Sequence, residues 1–230
     1  MFPYFTMDYT IIFLIPAMLL AMYAQGKVRS TYNIYSRERV ASGMSGAEVA
    51  RMVLDRSGLP NVRIERVPGN LTDHYDPRTK VLRLSDEVYS KATIASAGVA
   101  AHEAGHAIQD QVSYGPLKLR GLMVPMASFG SRFAMLIVIV GLIFSIPTIM
   151  DVGILLFSLV VLFQLITLPV EFNASRRALA VLGDYQILNY DEVPKAKKVL
   201  DAAALTYVAA AFSAIMSLVR LLVLRNRRRD

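Results

Sequence analysis

Residues 99–109 read Val-Ala-Ala-His-Glu-Ala-Gly-His-Ala-Ile-Gln, an H-E-x-x-H motif flanked by small and apolar residues. The flanks predict one helix, and residues four apart share a face of a helix. His102 and His106 can therefore bind one tetrahedral Zn²⁺ per chain and leave room for further ligands. Glu103 lies roughly 100° around the helix, where it can reach water at the metal and act as a general base.

Composition alone does not explain this motif. A shuffled chain with the same three histidines and seven glutamates contains it roughly once in a thousand times. An accidental pair of exposed histidines beside a glutamate is therefore the weaker interpretation. Gly105 inside the helix costs about 1 kcal/mol relative to Ala, which is easier to explain if another group must approach closely there. We expect the helix surface to become polar again at Gln109 and Asp110.

Apolar residues are concentrated in a few long segments. The chain has 230 residues, of which 54% are hydrophobic and 19% charged, whereas soluble domains are less apolar and carry more charge. Residues 9–26 and 202–219 contain no charged residue, and residues 133–170 contain only Asp151. These lengths predict three or four transmembrane helices. We assign them to residues 1–26, to a hairpin at 121–170, and to an apolar helix with a basic tail at 202–230.

The last apolar segment leaves two alternatives. It ends in Arg225-Asn226-Arg227-Arg228-Arg229, and a span would place these basic residues outside, against the positive-inside tendency. Otherwise the segment is a helix that packs on the hairpin or lies in the membrane interface. Its length and uniform apolarity favour a span.

Basic residues set the expected orientation. Lys27, Arg29, Arg37 and Arg39 follow the first apolar segment, which predicts an outside N-terminus and a cytoplasmic chain from residue 27 onward. We therefore expect a multi-pass protein of the inner or plasma membrane, with the lipid bilayer as its first partner. The net charge of +7 fits anionic lipid headgroups, and no aromatic-basic pattern indicates nucleic acid.

Two water-facing pieces remain, at residues 27–120 and 171–201. Ser45 and Glu48 form a capping-box pattern for a helix over residues 46–56. Short strands are expected near residues 62–67 and 80–84, which gives an α+β class with a small sheet. The strand at 80–84 is either an edge strand that aligns an extended substrate or an ordinary core strand.

A third metal ligand must be a histidine or a carboxylate, because the chain has no cysteine. His74 is the only other histidine, and Glu171 is the preferred candidate. The motif helix ends just before the hairpin leaves the cytoplasm, and Glu171 follows where the hairpin returns. Two antiparallel spans would bring Glu171 back beside His106. The competing interpretation is a boundary glutamate favoured by a helix N-terminus.

The H-E-x-x-H helix, the hairpin and the segment Glu-Phe-Asn-Ala-Ser-Arg-Arg-Ala at 171–178 resemble the membrane gluzincins, which include HtpX-like heat-shock proteases and CAAX prenyl proteases. Residues 73–85 and 99–109 resemble more closely the YugP-type membrane zinc metallopeptidases of bacteria. The resemblance covers nearly the whole chain. It implies a zincin-like domain at 27–120 with Glu171 as third ligand. Ser175 stands where the gluzincin pattern has an Asp that orients a zinc-bound histidine.

Three further residues are weaker site candidates. His74 could contact substrate or an oxyanion, ligate zinc, or be a turn histidine bonded to backbone. Tyr207 and Arg177 could stabilise a transition state. Tyr207 is otherwise an interfacial tyrosine, and Arg177 is a headgroup contact or a partner for Glu171.

These features predict an integral membrane zinc endopeptidase with a cytoplasm-facing site and polypeptide substrates at the membrane surface. The alternative is a non-catalytic, zinc-stabilised scaffold or partner subunit, which would be favoured if His74 completed a four-ligand cage. A homo-oligomer or a membrane partner protein is compatible with either function. Transport has little support, because no inverted repeat is visible.

Overall fold

The structure is a computed structural model that describes residues 9–226. Its helices follow a short 3-10 helix at Tyr9–Phe13 and are α1 (Leu14–Tyr35), α2 (Gly46–Arg56), α3 (Asp86–Ser90), α4 (Ile94–Gln111), α5 (Gly115–Ile143), α6 (Pro147–Asp184) and α7 (Val193–Asn226). Its strands are β1 (Arg63–Val67), β2 (His74–Asp76) and β3 (Val81–Ser85). This α+β membrane architecture confirms the predicted class.

Local sequence signals set the ends of the two central helices. Ser45 and Glu48 form the predicted reciprocal capping box at the start of α2, which satisfies amide groups that have no partner within the helix. The Thr93 side chain accepts a hydrogen bond from the Ser96 amide at the start of α4. The H-E-x-x-H helix therefore begins directly after Thr93, and it runs to Gln111.

The small sheet differs from its prediction in one respect. Its strand order is β1-β3-β2, with β3 parallel to β1 and antiparallel to β2. The strand near residues 80–84 is therefore central, so its interpretation as an edge strand is wrong. The edge beside the motif helix is β2, a strand of only three residues that the sequence did not predict.

Helix α4 lies in the hydrophobic core that residues 40–108 and 178–200 form together. It packs against α2 on one side and against α6 and α7 on the other, and most of its residues are buried. Gln109 is fully buried, so the expected return to a polar surface at that residue is wrong. A helix enclosed on all sides needs small residues, which explains the run of alanines around the motif.

Four helical segments are long and apolar enough to cross a membrane: Tyr9–Tyr35, Gly115–Ile143, Pro147–Asp184 and Val193–Asn226. Helix α6 packs against α5 and α7, and α7 packs against α1. In α5, a Cβ on Gly130 would lie 2.8 Å from the Leu156 oxygen, and one on Gly141 would lie 2.6 Å from the Met150 nitrogen. These glycines therefore let α5 and α6 approach closely.

The far end of α7 runs alongside the hairpin turn. Arg225 binds Asp151 through Nε at 2.8 Å and Nη2 at 2.9 Å, and the Arg220 Nε donates to Thr10 Oγ1 at 3.2 Å. Helix α7 therefore extends along the same helical layer as α1 and α6, as the predicted span requires. Asp151 balances Arg225, one of the basic residues that made a span seem unfavourable. Residues 227–229 lie outside the described part of the chain.

Candidate metal centre

Two helices bring three ligand-type side chains together where the hairpin meets the water-facing core. His102 and His106 lie on α4 and Glu171 lies within α6, and their ligand atoms are all within 4.8 Å of one another. Glu171 Oε2 is 3.2 Å from His102 Nε2 and 3.6 Å from His106 Nε2. Both ring nitrogens thus converge on one carboxylate oxygen, and these are the three residues that the sequence predicted as ligands.

The donor set fits zinc. Zinc–ligand bonds of about 2.0–2.2 Å at tetrahedral angles place neighbouring ligand atoms about 3.3 Å apart. The two measured separations from the Glu171 oxygen lie on either side of that value. Two imidazoles and one carboxylate also leave a fourth position for water or substrate, which is the pattern of catalytic rather than structural zinc.

Gln109 determines which nitrogen of His106 can bind metal. Its Nε2 donates to the Val170 carbonyl at 2.8 Å and to Asn173 Oδ1 at 3.0 Å. This orientation leaves Gln109 Oε1 facing His106 Nδ1 at 3.0 Å. An amide oxygen only accepts hydrogen bonds, so Nδ1 carries the proton of a neutral ring. The lone pair is then on Nε2, which faces Glu171.

Ser175 takes the corresponding place beside the other histidine. Its Oγ is 3.1 Å from His102 Nδ1. A hydroxyl can accept the Nδ1 proton, although more weakly than the Asp of the gluzincin pattern. Ser175 therefore contacts His102 in place of that Asp, and His102 Nε2 faces Glu171.

The carboxylate of Glu171 is held by an arginine that the sequence analysis missed. Arg120 Nη1 donates to Glu171 Oε1 at 3.0 Å, while the other oxygen faces the histidines. Arg120 comes from the first turns of α5, so three helices meet at one carboxylate. This ion pair fixes the orientation of Glu171 and offsets part of the cost of burying its charge.

Gly105 permits the close approach between α4 and α6, as the glycine within the motif helix indicated. A Cβ at residue 105 would lie 2.7 Å from the backbone oxygen of Ala174 on α6. Ala174 is three residues beyond Glu171, so the absent side chain lets α6 carry its carboxylate up to α4. The glycine is therefore part of the way in which the cluster is assembled.

Glu103 lies outside the ligand group and beside it. It is mostly buried, at 9% exposure, and its Oε2 accepts a hydrogen bond from the Tyr75 amide of β2 at 3.0 Å. The short edge strand therefore orients the predicted general base. Glu103 and the ligands His106 and Glu171 line one cavity of about 320 Å³.

The carboxylates of Glu103 and Glu171 affect the pKa values of neighbouring groups that line the cavity. Burial raises the pKa of the Asp73 carboxyl, with a further contribution from the negative charge of Glu103, although hydrogen bonds from Ser85 oppose the shift. Burial lowers the pKa of His106, but hydrogen bonding and attraction to Glu171, together with the charge of Glu103, outweigh it and raise that pKa above its usual value. Such a group of carboxylates and imidazoles is suited to a divalent cation.

The three weaker candidates have different outcomes. His74 and Tyr207 line the same cavity as Glu103. His74 is exposed, its Nδ1 is 2.9 Å from the Thr72 carbonyl, and it lies outside the ligand group. Arg177 donates to Asn173 Oδ1 at 2.8 Å instead of pairing with Glu171. The structure thus brings two of the three candidates to the site.

Comparison with known proteins agrees with this geometry. Residues 10–226 match the family model described as "Putative neutral zinc metallopeptidase". The chain belongs to this zinc metallopeptidase family. A relative, "Putative membrane protease YugP" from Bacillus subtilis (strain 168), is 46% identical over 216 residues, covering 94% of this chain and 96% of that protein. The resemblance to the YugP-type membrane zinc metallopeptidases is confirmed, and no solved structure matches the chain.

Three contacts of the centre in this family member were not predicted from its sequence. Gln109 could have been found, because it lies three residues after His106 and shares its helix face. Arg177 could have been excluded as a partner of Glu171, since six residues along a helix place two side chains on different faces. Arg120 and the Tyr75 amide depend on how separate elements pack, and no local pattern marks them.

Proposed function

We propose that the chain is an integral membrane zinc endopeptidase that hydrolyses peptide bonds, with its active site at the cytoplasmic surface of the membrane. The observation that carries this proposal is the three-ligand group of His102, His106 and Glu171 with Glu103 beside it in one cavity. A fourth coordination position and an adjacent general base are the parts that metal-assisted hydrolysis needs.

The residues of the chain have distinct roles in this reaction. His102, His106 and Glu171 would hold the zinc, which would supply polarisation of a peptide carbonyl and a more acidic water. Glu103 takes a proton from the attacking water and passes it to the amine that leaves. The Tyr75 amide holds one oxygen of Glu103, so the other oxygen can take the proton. Gln109 and Ser175 keep the histidine rings in the tautomer that binds metal.

Tyr207 and His74 are the candidates for contacts to the oxyanion. Each lines the cavity beside Glu103, and each can donate a hydrogen bond to the negative charge that develops on the carbonyl oxygen. The two residues enter from different sides, one from α7 and the other from β2. Replacing each in turn by Phe or Ala would show in kcat which of them contacts the transition state.

A closed zinc cage completed by His74 would have favoured the scaffold alternative. Among the described residues 9–226, His74 lies outside the ligand group, which does not support such a cage. Glu103 would have no role in a structural site, yet the fold buries it beside the histidines. These two observations support hydrolysis over a structural role for the metal.

The decisive test replaces Glu103 by Gln in the full chain, reconstituted in lipid and loaded with zinc. We expect Glu103→Gln to bind one zinc per chain, as the unaltered protein does, and to lose at least ~100-fold in cleavage of unstructured peptides, because general-base catalysis contributes about that much or more. Glu87→Gln is the matched control, since Glu87 pairs with Lys91 on the surface. Equal cleavage by Glu103→Gln and the unaltered chain would refute the proposal.

The proposed orientation has a separate test. The chain has no cysteine, so single cysteines report accessibility cleanly. Tyr190, which is 96% exposed, and Ile146, which is 42% exposed, lie at opposite ends of the helical layer. In intact spheroplasts a membrane-impermeant maleimide should label Ile146→Cys, and it should label Tyr190→Cys only after permeabilisation. The reverse pattern would place the site outside the cell.

A further inference from the structure

One wall of the cavity at the metal cluster belongs to a membrane-spanning helix. Leu117, Gly121 and Val124 of α5 line it, and their spacing places them on one helix face. Arg120 on the same face pairs with Glu171. We refer to Leu117, Gly121 and Val124 as the α5 wall. A segment bound at the metal would therefore lie against α5.

Gly121 leaves a gap in this wall. A Cβ at residue 121 would meet no atom within 4 Å. Two other glycines of the same helix, Gly130 and Gly141, are required by close contact with α6, but no such contact requires Gly121. Glycine in a helix interior is destabilising relative to Ala, so an open glycine beside a metal cluster keeps space for an incoming group.

The wall continues into the surface of α5 that would face lipid. Val124 is 46% exposed, and its neighbours Leu122 and Met126 are 75% and 49% exposed. Residues 115–143 are one of the four segments apolar enough to span a membrane. The cavity therefore extends from the metal cluster, past Arg120, to the apolar surface of α5 at Val124.

The opposite wall suits an extended chain. Strand β2 pairs with β3 on one side only, and Tyr75 of β2 and the adjacent Pro77 line the cavity. A segment lying between β2 and α5 would thus have the strand that holds Glu103 on one side and apolar side chains on the other. An unwound end of a membrane-spanning helix has both the extended backbone and the large apolar side chains that such a cleft accepts.

We propose that the α5 wall receives a large apolar side chain next to the scissile bond, and that the substrate is the end of a membrane-spanning segment that reaches the metal cluster along α5. This inference rests on the proposed peptidase function and names its substrate class. Gly121 is then a specificity-determining residue, because its missing side chain provides the space for the substrate.

The test measures binding separately from cleavage. The full-length Glu103→Gln chain, loaded with zinc in lipid nanodiscs, is mixed with a synthetic single-span peptide that has a polar tail and a photoreactive leucine at the border between span and tail. We expect crosslinks that map to residues 115–125 of α5. Gly121→Leu should reduce their yield at least tenfold, because leucine fills the gap, and its Cβ meets no atom within 4 Å.

Gly26→Leu is the matched control. Gly26 also lies inside a long apolar helix with no atom within 4 Å of its Cβ, but it is outside the cavity, so its variant should crosslink like the unaltered chain. A peptide with glycine at the border position, and its photoreactive residue one position into the tail, should regain crosslinking in Gly121→Leu. Thermal unfolding of both variants, recorded alongside, checks that each is folded.

The two proposals fail in different ways. Equal crosslinking in Gly121→Leu and Gly26→Leu, or crosslinks that map away from α5, would overturn the α5 wall. A further probe consists of the polar tail with the photoreactive leucine but without the span. If it crosslinks as strongly as the single-span peptide, the proposal of a membrane-spanning substrate is overturned. A probe that binds at α5 but is never cut by the zinc-loaded chain with Glu103 intact would contradict the peptidase function and leave the wall assignment standing.

Discussion

Replacing Gly105 by Ala should weaken zinc binding through packing alone. The new Cβ would lie 2.7 Å from the Ala174 oxygen, whereas ordinary contact begins at 3.4 Å, so α4 and α6 must separate by 3.4 − 2.7 = 0.7 Å at this point. Metal sites tolerate changes of about 0.2 Å in ligand distance. Because Glu171 moves with α6, we expect the zinc affinity to fall at least ~10-fold, as for the loss of an outer-shell partner.

The effect on folding should be much smaller than the effect on metal binding. Overpacking a core costs about 1–3 kcal/mol, and Ala gains about 1 kcal/mol over Gly in a helix. The net cost to the free energy of unfolding is then about 0–2 kcal/mol. Zinc affinity is measured by competition with a chromophoric chelator, and stability by thermal unfolding of the metal-free protein in the same detergent.

Gly26→Ala serves as the control, because a Cβ there meets no atom within 4 Å. It should leave zinc affinity unchanged and slightly stabilise α1. Unaltered zinc affinity in Gly105→Ala, together with higher stability, would refute the reasoning. It would mean that α6 can shift at Ala174 without carrying Glu171, so that helix spacing does not set the metal site.

Three further substitutions test the groups that hold the ligands, each by zinc competition. Gln109→Leu removes the partner of His106 Nδ1 and the side-chain donor to the Val170 carbonyl. Zinc affinity should therefore fall about 10–100-fold, and the free energy of unfolding should fall by about 1–3 kcal/mol. An unchanged affinity would contradict the tautomer assigned to His106. Arg120→Gln should weaken zinc about tenfold, since Glu171 loses its donor, while Lys118→Gln nearby should not. Ser175→Ala should cost about tenfold, and no change would show that His102 is oriented without Ser175.

The fold could be predicted from the sequence wherever the deciding interactions are local or periodic. The H-E-x-x-H helix, the capping box at Ser45 and the apolar spans follow from spacing along the chain, and the prediction of Glu171 followed from the geometry of an antiparallel hairpin. Strand β2 has only three residues, and its pairing with β3 is set by long-range packing. The same limit applies to Arg120, whose contact with Glu171 depends on the rotation of α5 against α6.

The position of α6 explains why Gln109 is buried, although its place after an apolar run predicted a polar surface. A glutamine after an apolar run normally marks a return to solvent, but here α6 passes over that end of α4. Its Val170 carbonyl and Asn173 side chain accept from Gln109. The burial of Gln109 is thus decided by α6 residues that lie 61 and 64 positions further along the chain, and only the three-residue spacing from His106 indicates it.

The continuity of α6 has a consequence for how this protein can be handled. One helix of 38 residues, about 57 Å long at 1.5 Å per residue, carries both the hairpin contacts and Glu171. Residues 27–120 expressed alone would contain two of the three ligands, and no cut in the chain isolates a water-soluble fragment with all three. Purification, metal analysis and inhibitor screening therefore require a lipid or detergent environment that keeps α6 seated between α5 and α7.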